Sequence, residues 1–105
     1  MKRINLMLEY QCFPVWTYGE DGNLIDNNLP QELVGDSTID SMCVDLQEEF
    51  DSLYHNDEKE FKYVGFDNAI IKEAFVKKIF QVLDELNQKV GNYYEIKNSI
   101  NLEHL

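Results

Sequence analysis

Nucleophilic catalysis needs an activating base beside the nucleophile, usually a histidine, and this chain of 105 residues has only two, His55 and His104. Cys43 precedes His55 by 12 residues, which places the two at roughly opposite ends of one helix, and His104 stands beside the terminus. Cys12 and Cys43 are separated by 30 residues, which is neither a metal-ligand spacing nor a disulfide framework. Both thiols are expected reduced and buried, and the histidines solvated. Phosphate binding needs glycines clustered between a strand and a helix, whereas Gly19, Gly22, Gly35, Gly65 and Gly91 are scattered. Asp21 to Asp26 offers oxygen ligands but lacks the acidic order and the distal glutamate of a calcium loop, so it reads as a turn. The pairs Glu48-Glu49 and Asp57-Glu58 read as solvated surface. No catalytic residue, metal or cofactor is expected.

The location of charge is more informative. The net charge is -11, yet residues 4 to 60 hold 14 acids against one base, Lys59, while residues 61 to 105 hold six acids and six lysines. The acidity therefore belongs to the first half of the fold. No lysine or arginine lies between Arg3 and Lys59, so these acids are expected to lack local ion-pair partners. Strong charge keeps a protein soluble without any partner, but it also steers and holds a cationic one. A nucleic acid would meet this half at an electrostatic cost, so direct nucleic-acid binding is not expected.

The elements that position these residues follow from periodicity. Ile4, Leu6, Leu8 and Tyr10 alternate with polar neighbours as a first strand. Pro14 breaks it, Val15 to Tyr18 resumes, and the Asp21-Gly22 pair supplies a tight turn toward a short return at Leu24 and Ile25. Asp26 to Asp36 reads as a loop with one helical turn at Gln31 to Val34. Asp36 or Ser37, the latter with Asp40, can cap a helix whose apolar stripe is Ile39, Cys43, Leu46, Phe50 and Leu53. Asp45, Glu48 and Glu49 lie opposite that stripe, flanked by Asp40 and Asp51. His55 to Lys59 is a polar connection, and Phe61 to Phe66 another strand. Asp67 or Asn68 can cap a second helix with Ile71, Phe75, Ile79, Val82, Leu86 and Val90 in its core stripe and Ile70, Ala74 and Leu83 widening it. Gly91 stands where a left-handed cap belongs. Tyr93 to Ile100 alternates as a last strand. The expected fold is one α+β domain over residues 1–105: a small mainly antiparallel or mixed sheet, two helices on one face, in the order β, β hairpin, α, β, α, β. Ile4 to Leu8 is too short and too interrupted for a signal-peptide core, and nothing approaches the ~20 apolar residues of a membrane helix. A cytoplasmic protein is expected. The final Leu102-Glu103-His104-Leu105 reads as an appended tail without a role.

Tyr10, Phe13, Trp16 and Tyr18 put four aromatics into nine residues beside the acidic turn at Glu20-Asp21. Alternation keeps Trp16 and Tyr18 on one side of their strand, whether that side is core or interface. In size, acidity and layout the whole chain resembles the small acidic immunity proteins encoded beside bacterial polymorphic and contact-dependent toxins. Leu8-Glu9-Tyr10-Gln11-Cys12-Phe13-Pro14-Val15-Trp16, continuing through Glu20-Asp21-Gly22, looks like an opening used by bacterial proteins of this size. The resemblance implies an inhibitor of a basic toxin, nuclease-like because a nuclease must present lysines and arginines to a polyanion. The expected partner surface comprises Asp45, Glu48, Glu49 and Asp51 on the first helix and Glu20, Asp21, Asp26 and Glu32 in the loop, with Trp16 and Tyr18 alongside. Two alternatives stand beside it. A phage-type nucleic-acid mimic would spread its acids at phosphate spacing along an elongated surface, and a small enzyme would place Cys12, Cys43 or His55 in a deep pocket.

Overall fold

The computed structural model describes all 105 residues. Alternation builds β1 over Lys2–Leu6, where Ile4 and Leu6 are fully buried and Arg3 and Asn5 are half-exposed on the other side. The strand stops short of Tyr10 because Met7 donates its N–H to the Pro14 carbonyl and the chain turns over Glu9–Cys12, with Gln11 at φ 58°. Cys12 is consequently half-exposed in that turn rather than buried, while Cys43 is fully buried.

Antiparallel to β1 runs β2 (Val15–Tyr18), and β3 (Leu24–Asp26) returns against β2. Gly22, at φ 82°, makes the turn between them, and the Asp21 carboxylate accepts from the backbone and side-chain amides of Asn23. On the far side of β1 lies β6 (Tyr94–Asn98), in parallel, giving the order β3-β2-β1-β6. A parallel neighbour requires a long connection, and this one carries both helices.

The first, α1 (Ser37–Asp51), is capped by Asp36, whose Oδ1 accepts from the N–H groups of Thr38 and Ile39; Ser37 already lies inside the helix. The second, α2 (Ala69–Val90), is capped by Asn68. Ile39, Cys43, Leu46 and Phe50 from α1 meet Phe75, Ile79, Val82, Leu86 and Val90 from α2 and the inward residues Ile4, Leu6, Val15 and Tyr94 of the sheet in one core. Both helices thus cover one face of a mixed sheet, as expected for an α+β fold. Ile70, Ile71 and Ala74 are exposed rather than in the core. With 22 residues α2 far outruns the five-residue strands it covers, so its first turn overhangs the core. Gly91 keeps a right-handed φ of -61° instead of the left-handed cap expected, because the N–H of Tyr93 bonds to the Val90 carbonyl and turns the chain without it.

Between the helices the chain differs most from its sequence reading. His55 and Asn56 are not connection but part of β4 (Tyr54–Asn56), which pairs antiparallel with β5 (Phe61–Tyr63) in a separate two-stranded sheet. Asp57 closes its turn by accepting from the N–H groups of Lys59 and Glu60, and Tyr54 stacks on Phe61 with ring planes 4° apart. The Leu53 carbonyl accepts from Val64 and Gly65, which ties this hairpin to the end of α1. Leu102–His104 is no loose tail either: it forms a 3₁₀ turn, with Leu102 and Leu105 packed against the core. No helix is long and apolar enough to cross a membrane.

Candidate functional site

On α1 the inward stripe is committed to the core, which turns the acids outward: Asp40, Asp45 and Glu48 are exposed, and Glu49 and Asp51 half-buried. They are not without ion-pair partners, as the sequence suggested. Lys78 of α2 reaches across the helix seam to Asp45 at 3.0 Å and Glu49 at 2.7 Å, and Lys89 pairs with Asp36. The bonds to Glu49 and then Asp45 hold the Lys78 ammonium above the usual lysine range, and Lys89 holds the Asp36 carboxyl below its ordinary value. Packing brings over lysines that lie 29 or more residues away in the chain. The Glu48 carboxylate has no such partner. Asp51 is occupied differently, accepting the backbone N–H of Gln11 at 2.8 Å and so fixing the turn that carries Tyr10.

The remaining expected residues lie elsewhere. Tyr18 pairs with Arg3 near the start of β1, which puts the Glu20-Asp21 turn at that end, whereas Asp51 holds Gln11 beyond the other end of the strand. Glu20, Asp21 and Asp26 are exposed, and Glu32 accepts the Tyr94 hydroxyl at 2.9 Å. Burial, with the Glu32 carboxylate beside it, pushes the Tyr94 phenol up to about 12. Trp16 and Tyr18 are half-buried on the sheet face that the helices do not cover, so they stand across the molecule from the α1 acids. There the Trp16 indole donates to the Met7 carbonyl, and the Arg3 guanidinium lies 4.5 Å from the Tyr18 ring centre. The structure therefore divides the expected surface among α1, the β2–β3 end and the open sheet face.

One surface escaped the sequence reading. Tyr10, Tyr54 and Phe61 form a mutual cluster, with ring centres 5.0, 4.8 and 5.1 Å apart, at the C-terminal end of α1. Phe61 is 53% exposed and Tyr63 39%. The signal was the set of aromatics at Tyr54, Phe61 and Tyr63 on either side of the Asp57–Glu60 turn. A cleft of about 250 Å³ adjoins the cluster, lined by Met7, Leu8, Phe50, Tyr54, Tyr63 and Ile100 among others.

Burial, and secondarily the charge of Asp40, pushes the Cys43 thiol up to about 12, far from a reactive thiolate. His55 is exposed on the hairpin, 2.9 Å from Asp57. Cys12, Cys43 and His55 line none of the clefts, whereas His104 lines the one beside Tyr54 and Tyr63. No curated protein matches the chain. A protein-family model described as Serratia CdiI immunity protein-like matches residues 2–99, from the start of β1 to just past the end of β6. That match spans nearly the whole fold, and the chain belongs to the Serratia CdiI immunity protein-like family.

Proposed function

We propose that the chain binds and neutralises a cognate toxin, that this toxin is a basic protein of the nuclease class, and that the outward face of α1 meets it. The observation that carries this reading is the crowding of Asp45, Glu48, Glu49 and Asp51 into the last two turns of α1, where no basic residue stands in the final turn. The carbonyl end of a helix already carries negative potential, and a carboxylate near it costs about 0.3–1 kcal/mol at an exposed site. Lys78 offsets part of that cost at Asp45 and Glu49. A cationic partner relieves the rest. A nuclease presents lysines and arginines to its polyanionic substrate, so carboxylates on a rigid helix occupy the potential that nucleic acid would otherwise fill. Glu20, Asp21, Asp26 and Glu32, at the β2–β3 end, add to the long-range field that steers encounter.

The test is association kinetics with the neighbouring toxin domain at low and high salt. Asp45→Asn with Glu48→Lys changes the charge of this face by three units while leaving the Lys78 bond to Glu49 in place. The variant is expected to keep its thermal midpoint, since surface substitutions usually shift stability by about 0.5 kcal/mol or less. Association should slow by roughly tenfold at low salt, with a flatter salt dependence. An unchanged rate would make this helix a solubility face only.

A further inference from the structure

We propose that the aromatic cluster of Tyr10, Tyr54 and Phe61 is the anchoring point of the toxin, and that it receives an arginine-bearing basic segment of that partner against the exposed ring of Phe61. This rests on the immunity reading above and names where the interface is held. The rings come from two parts of the chain. Tyr54 and Phe61 share one face of the β4–β5 hairpin, and Tyr10 is brought onto that face by the turn after β1, with its hydroxyl 3.4 Å from the Asn56 amide. A two-stranded hairpin standing outside the main sheet is marginal alone, yet this one keeps Phe61 more than half exposed. The exposed part of that ring is open to a partner.

Charge identifies the occupant. Residues 51 to 60 hold four acids, Asp51, Asp57, Glu58 and Glu60, against Lys59 alone. Lys62 reaches Glu60, and His55 binds Asp57. The cluster also begins three residues past the end of α1, so it continues the acid-laden carbonyl end of that helix. A guanidinium is planar, weakly hydrated and stacks on aromatic faces while its donors reach carboxylates, a combination an ammonium matches less well. The adjoining cleft beside Tyr54 and Tyr63 has apolar walls for a neighbouring side chain of the same segment. An exposed aromatic ring beside the acid-laden end of a helix has the composition of an interface hot spot with a polar rim.

The experiment measures dissociation of the full-length chain from the neighbouring toxin domain, with thermal melts of each variant. Phe61→Leu keeps apolar bulk and removes the ring face, and Phe61→Trp restores a larger one. Dissociation is expected to quicken by at least about tenfold in the leucine variant and to return to within about threefold of wild type in the tryptophan variant. Wild-type dissociation from a folded Phe61→Leu chain overturns the anchor while leaving the immunity reading intact. Should the leucine variant fail to fold, Phe61→Met tests the same position: dissociation quickened by at least about tenfold supports the anchor, and a wild-type rate overturns it. If the wild-type chain itself does not bind the domain, the immunity reading fails and the anchor with it.

Discussion

Tyr94 opens β6, contributes to the core, and donates its hydroxyl to Glu32 across 62 residues of sequence. Its phenol lies at about 12 in the fold against an ordinary value of 10.0. Because the folded value is raised, the contribution to stability is complete below pH 10 and is lost as pH rises through about 12. In a spectrophotometric titration of the six tyrosines, Tyr94 is therefore expected among the last to ionise. Tyr94→Phe should remove a late step, and Glu32→Gln should move it to lower pH. A late step unaffected by either substitution would mean that the contact is not kept in solution. Glu32 was legible in the sequence as an acid in an acidic stretch, but its engagement was not, since nothing local ties a loop glutamate to a tyrosine in the last strand. The same holds for Lys78 and Lys89, which the sequence places in a neutral half and the fold places against the carboxylates of α1 and its cap.

At the scale of elements, the helices were the most readable part of the chain. Apolar spacings of three and four specify a face whatever lies against it, and the residues of the α1 stripe and most of the α2 stripe are buried. Phe75, fully buried and in contact with Phe66 at 5.3 Å between ring centres, is the test of that packing. Phe75→Ala is expected to lose about 3–5 kcal/mol in denaturant unfolding, and a loss below about 1 kcal/mol would contradict the packing described. The hairpin was less legible because three-residue strands give almost no alternation to count. Its strands are held by aromatic pairs and by the Asp57 turn rather than by a buried face. The overhang at the start of α2 was invisible for another reason: apolar spacing marks which side of a helix faces the core but not how far along the helix the core extends.

For the whole molecule, the acid excess of the first half survives folding as an asymmetry that two lysines of α2 only partly offset. The strand order was beyond the sequence because period-two patterns name a strand's faces and not its neighbours. That order has a consequence for how the protein comes into being. The central strand β1 takes one of its two neighbours from residues 94–98, which are made about 90 residues after it. A chain lacking residues 94–105 is expected to show no cooperative melt by circular dichroism, since it loses Tyr94 from the core and half of β1's pairing. Contacts so distant in sequence also slow folding. At translation rates of about 5–20 residues per second, β1 waits several seconds on the ribosome for its partner. The fold that would meet a partner is therefore assembled only after residues 94–98 have left the ribosome.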